Sequence, residues 1–149
     1  MTYYLLSIML LLLNGCQLHD DNGSGAVDKS LQEWAEAYFT FKYEDALEYM
    51  TPESEKWIRF AATNITEKDI DFINGQNNVV KVDILDRQIS ADTTCISRIR
   101  VSDFVQLGFV GQENKVVDQA EFQIPLVQRD GKWLVRMEGQ LQSGRQSRD

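Results

Sequence analysis

Two cysteines and one histidine bound the chemistry open to this 149-residue chain. Cys16 stands at a seam. Before it, Leu5–Leu13 reads LLSIMLLLL; after it, Gln17–Gly25 reads QLHDDNGSG, acidic and glycine-rich. As its thiolate, a cysteine there can act as a nucleophile. Cys95 lies in an alternating apolar stretch, where a thiol reads as a small buried hydrophobe. If Cys16 is used at the amino end, Cys95 has no partner in the chain, so neither a disulfide framework nor a cysteine metal site can form. His19 reads as a solvated residue of the polar stretch. With the one histidine lying in that stretch, histidine-based triads and multi-histidine metal centres are excluded within one chain. The sequence has no P-loop, no Gly-x-Gly-x-x-Gly and no metal-spaced cluster, so no cofactor and no metal is expected.

The formal net charge of -8 repels phosphate backbones, which argues against nucleic acid as a partner. It also argues against a basic patch for anionic lipid heads. The length suits one domain, and 43% hydrophobic residues suffice for a core.

Leu5–Leu13 is too short to span a bilayer, which takes roughly 20 residues as a helix. It suits the apolar core of a secretory signal. Leu13-Asn14-Gly15-Cys16 resembles the lipobox of bacterial lipoproteins. In that family the cysteine sulfur receives a diacylglyceryl group, the signal is cut before the cysteine, and the new amino terminus is usually acylated. Gly15 then flanks the scissile bond and Cys16 carries the lipid. Met1-Thr2-Tyr3-Tyr4 departs from the usual pattern in lacking Lys or Arg. Several acyl chains, at about 0.8 kcal/mol per buried methylene, exceed what stable anchoring needs. The resemblance implies a signal over 1–15, a lipidated flexible linker over 16–27 and a place in the cell envelope, at the outer membrane or cell surface. The acidic pair Asp20-Asp21 resembles the export signal that some Gram-negative groups place after the lipid cysteine.

The folded part must begin beyond this linker. Asp28 suits the cap of a helix in which Leu31, Trp34, Tyr38 and Phe41 share a stripe. Lys42-Tyr43 breaks it, and EDALEYM makes a short second helix. Thr51-Pro52 restarts a third, PESEKWIRFAATNI, with Trp57, Phe60 and Ala61 inward. A further turn runs from Thr66 to Asn74-Gly75. The period then changes to two: Val80, Val82 and Ile84; Cys95, Ser97, Ile99 and Val101; Ala120, Phe122, Ile124 and Leu126; Trp133, Val135 and Met137. Ser90-Ala91-Asp92 and Asp130-Gly131 are turns, the second a strong hairpin signal. Pro125 marks an edge or a bulge. Arg98 and Arg100 share the other face, paired with acids in water. Gly139 onward reads as a frayed tail. The fold class is therefore α+β: N-terminal helices on a curved antiparallel sheet of about four strands.

AEAYFTFKYEDALEYMTPESEKW and FQIPLVQRDGKWLVRM resemble the opening and the last hairpin of nuclear-transport-factor-2-like (SnoaL-like, cystatin-like cone) domains. The resemblance covers roughly residues 28–138, with 139–149 as tail. It implies a cone with a pocket between sheet and helices, lined here by Trp34, Tyr38, Trp57, Phe122 and Trp133, though such rings are also core residues. Enzymes of this superfamily use a pocket carboxylate as general base with a donor such as tyrosine at the oxyanion. By strand parity Asp118 shares the Ala120–Phe122 face and is the candidate base, with Tyr38 or Tyr49 as donor; Asp83 falls on the wet face. No residue matches a catalytic motif of the family.

Asn64-Ile65-Thr66 and Asp92-Thr93-Thr94 match short glycosylation triplets that arise often by chance. Phe109-Val110 reads as a loop-tip contact. The sequence therefore leads to an envelope lipoprotein, held by Cys16, that binds a small apolar ligand or an envelope protein partner without catalysis. Two alternatives remain: an assembly or homodimerisation module with a filled cone, and a small isomerase- or hydrolase-like enzyme using Asp118.

Overall fold

A computed structural model describes residues 24–91, 93–108 and 111–143, and the backbone of 145–146. The signal expected over 1–15, together with Cys16, His19, Asp92 and Phe109-Val110, lies outside these residues.

Among the described residues four helices precede the sheet. The first, α1, is Ser24–Phe39, and α2 is Tyr43–Leu47. A 3-10 turn at Pro52–Ser54 leads into α3, Glu55–Thr63, and α4 is Glu67–Asn74. The strands follow as β1 (Lys81–Ser90), β2 (Thr94–Gln106), β3 (Lys115–Arg129) and β4 (Lys132–Val135), antiparallel in sequence order. A two-residue strand, β5 (Arg145–Gln146), pairs with Ala120–Glu121 on β3. The fold is α+β, as the change of period required. None of the helices among the described residues is long and apolar enough to cross a membrane.

Helix α1 starts one turn earlier than Asp28. Val27 is fully buried and extends the Leu31–Trp34–Ala35 stripe backwards. Asp28 is not a cap; its carboxylate accepts from Arg87 Nε at 2.7 Å and ties α1 to β1. The linker expected over 16–27 therefore loses its last residues to the helix.

In α3 the buried residue is Ile58, while Phe60 is 51% exposed, Trp57 is half-buried and Ala61 is half-buried. The buried face runs through Ser54 and Ile58. A polar residue sets it, which an apolar pattern does not register. Ser54 Oγ accepts from the Met137 backbone N–H at 2.8 Å and shares a 2.7 Å hydrogen bond with Thr51 Oγ1. Thr51 caps through its backbone alone, and its hydroxyl goes to Ser54. Beside it, Val135 N donates to Tyr49 O at 2.7 Å and Thr51 N to Val135 O at 2.9 Å, so the restart runs parallel against β4.

The inner sheet face is Cys95, Ser97, Ile99 and Val101 on β2, and Ala120, Phe122, Ile124 and Leu126 on β3, all buried. Between the Ser102–Gln119 and Phe104–Val117 pairs, Asp103 takes a φ of 55°. The inward alternation slips there by one residue in both strands, so Phe104 and Val117 are the next buried positions. On the outer face Arg98 pairs with Asp86 and Glu121, and Arg100 Nη2 lies 3.0 Å from Glu121. Pro125 O accepts from Arg136 N at 2.9 Å. In a strand a residue's C=O and N–H point the same way, so the missing donor faces that edge, just past the last β3–β4 pair. Asp130 and Gly131 both take positive φ, the type I′ requirement for the two-residue turn.

Where a frayed tail was expected beyond Gly139, part of the described chain is held. Gln140 Nε2 donates to Trp57 O at 3.2 Å, Leu141 lies against the core, and β5 adds to the sheet.

Candidate functional site

A cavity of about 420 Å³ opens where the C-terminal end of α1 meets the far end of β2. Its wall depends on how α1 stops. Lys42 N donates to Ala37 O at 2.9 Å and Phe41 N to Tyr38 O at 3.2 Å. This is the Schellman ending, and its left-handed position is normally glycine. Here it is Phe41, with φ at 62°. Left-handed backbone costs an L residue about 1–2 kcal/mol. Here the bend places the Phe41 ring on the cavity wall, 6.0 Å from that of Tyr43.

Tyr38 and Tyr43 lie 5.8 Å apart on the same wall. Phe39, in edge contact with Tyr38 at 5.2 Å, forms a mutual cluster with Phe104 and Phe122, centroids 5.0–5.9 Å apart, that also lines the cavity. The strand slip at Asp103 is what turns Phe104 inward. Burial, and then the neighbouring Tyr43, hold the Tyr38 hydroxyl well above the usual phenol range. Burial pushes Tyr43 up to about 12. Both are hydrogen-bond donors at neutral pH.

Among the described lining residues the one carboxylate is Asp69, from the first turn of α4. Its Oδ2 accepts from Thr66 N at 2.8 Å and from Thr66 Oγ1 at 2.9 Å; its Oδ1 accepts from Asn114 Nδ2 at 2.7 Å. The Thr66 N–H foremost, then Asn114, holds this carboxyl below the ordinary aspartate value. It is a fixed anion, poorly suited to take a proton as a base. Asn114 also accepts from Gly108 N at 2.9 Å, so one side chain ties the β2–β3 connection to α4. A Cβ at Gly108 would stand 2.3 Å from Gln112 O, which reserves that position for glycine. The mouth is completed by neutral amides, among them Gln106, Gln140 and Gln142.

Of the sequence candidates, Tyr38 and Phe122 line the cavity. Trp34, fully buried, and Trp133, 4% exposed, are core. Trp34 stacks against Tyr38 at 5.0 Å on the side away from the opening. Trp57 packs at the edge of the core, with Lys56 Nζ 5.3 Å from its ring. Asp118 is exposed and lies off the cavity, because the slip at Asp103 reverses the parity from which it was placed inward. Asp83 sits near Lys81 at 3.6 Å. Tyr49 borders a separate acidic groove along α1 with Glu33, Glu36, Asp45 and Glu48. The structure therefore does not join Asp118 to either tyrosine. Cys95 is buried and unpaired, and burial raises its thiol above the usual range. Among the described residues no cluster of three or more His, Cys, Asp or Glu could hold a metal ion.

Phe41, Asp69 and Asn114 were missed as site residues. Thr66-x-x-Asp69 was legible as a capping pair; the contact of Asn114 with Asp69 spans 45 residues and left no local trace.

No protein-family model matches the chain, and no curated protein matches it. Among solved structures it is similar to Rv3472, a protein of unknown function from Mycobacterium tuberculosis, at 14% identity and a TM-score of 0.51 over 87% of this chain and 78% of that one. At that identity the likeness is one of fold: helices laid against a curved antiparallel sheet.

Proposed function

We propose that this protein is a bacterial envelope lipoprotein, anchored through Cys16, whose nuclear-transport-factor-2-like domain binds a small apolar molecule without transforming it. The observation that carries the binding reading is the cavity itself: an aromatic enclosure whose carboxylate, Asp69, is already committed to Thr66 and Asn114. Ligand sites of this size are apolar with a few fixed polar groups. An open cavity favours binding over the filled-cone assembly reading, and the ion pairs of Arg98 and Arg100 leave less apolar surface on the outer sheet face for a homodimer or an envelope protein. Asp118, the base on which the enzyme reading leaned, is exposed and off the cavity, which weighs against that reading.

Two measurements test the two halves. Native expression with radiolabelled palmitate should label the chain and not Cys16→Ser, which should leave the membrane fraction; an unlabelled wild type overturns the anchor. A neutral apolar fluorophore such as phenylnaphthylamine should bind the full chain and be lost on blocking the cavity with Ala61→Trp; binding that survives the block overturns the cavity as the site.

A further inference from the structure

We infer that the cavity is built for an organic cation, an amine or quaternary ammonium group carried on an apolar body. The inference rests on the reading of the cavity as a binding site. Among its described lining residues there is no Lys, Arg or His to serve as counter-charge to an anionic guest. The charge that is present is the Asp69 carboxylate, held at the rim by Thr66 and Asn114 rather than by a basic side chain. The same cavity is lined by the rings of Tyr38, Phe41 and Tyr43, within 6.0 Å of their neighbours, and by Phe104 and Phe122. Aromatic enclosures attract cations through the negative faces of the rings, and the attraction grows as water is excluded. An adjacent fixed anion adds to it without needing to move. Phe41 supplies an independent sign. A phenylalanine occupies a left-handed helix ending that glycine fills without strain, and the ring so placed is part of the enclosure.

The test separates this inference from the reading beneath it. Benzyltrimethylammonium and neopentylbenzene have the same shape and differ in charge; phenylacetate supplies an anion on a similar ring. Each is used to displace phenylnaphthylamine from the full chain. The cation should compete about tenfold more strongly than its neutral isostere. Asp69→Asn should bring the two towards parity while phenylnaphthylamine still binds. Should Asp69→Asn fail to fold, Tyr43→Leu should narrow the same preference. Equal or stronger competition by neopentylbenzene or phenylacetate overturns the cation assignment and leaves the apolar cavity standing. Absence of phenylnaphthylamine binding to the wild type overturns both.

Discussion

Ser54 and Met137 are 83 residues apart in sequence and joined by a 2.8 Å hydrogen bond from the Met137 N–H to the Ser54 hydroxyl. Ser54 is fully buried, so this bond fastens the start of α3 to the end of the last hairpin from inside the core. Removing the hydroxyl leaves the Met137 donor buried and unmatched. Ser54→Ala should lower stability by about 1–3 kcal/mol, read from the urea midpoint at unchanged slope. A midpoint equal to wild type would remove the clamp.

Phe41→Gly separates stability from binding. Relief of the left-handed backbone, about 1–2 kcal/mol, offsets the lost packing of a half-buried ring. The thermal midpoint should therefore move little, while phenylnaphthylamine affinity falls at least about threefold, since part of the apolar wall is gone. A large loss of stability would mean that the ring serves the core and not the cavity.

Alkaline pH should unfold the chain through its tyrosines. Tyr38 and Tyr43 keep their protons in the fold to higher pH than in the unfolded chain, Tyr43 to about 12. Their contribution is complete below the ordinary phenol value near 10. It is lost as pH climbs from there towards the folded values, because the unfolded state then binds fewer protons. Stability against pH, followed by circular dichroism together with phenolate absorbance, should fall over that interval. Tyr43→Phe should make the decline shallower; an identical decline would clear Tyr43 of it.

Asn114→Ala should weaken the acid side. Asp69 titrates below its unfolded value, so its contribution is present above the usual carboxylate range and lost as pH drops through the folded value. Asn114 is one of the groups that depress it. The variant should show a smaller gain in stability between acid and neutral pH than wild type, measured by melts across that range.

Cys95 should be chemically silent until the chain unfolds, being buried and unpaired. In the Cys16→Ser chain, Ellman's reagent should react with one thiol at the rate of global unfolding. Fast reaction under native conditions would show that the inner sheet face opens locally.

The sheet was legible because one apolar face imposes a period of two, and Cys95 through Val101 and Ala120 through Leu126 kept it. The hairpin was legible because Asp130-Gly131 states its turn chemistry outright. Asp118 was misplaced because parity was carried across a backbone slip at Asp103, which no side-chain pattern announces. The buried face of α3 was misjudged at Phe60 because Ser54, a polar residue, lies on the side that packs. The cavity depends on Phe41 in a glycine position and on Asn114 reaching Asp69 across the molecule. Both are tertiary choices, invisible to local propensity.

Helix α1 has a further consequence. It runs from Ser24, its end nearer to Cys16, to Phe39 beside the cavity, a rise of about 24 Å for 16 residues. If Cys16 sits in a bilayer, the eight steps to Ser24 can stretch no further than about 28 Å. That reach exceeds the helix itself, so such an anchor would leave the body free to turn end over end, and the rigid rod between tether and cavity would fix their separation while leaving the direction of the opening unconstrained.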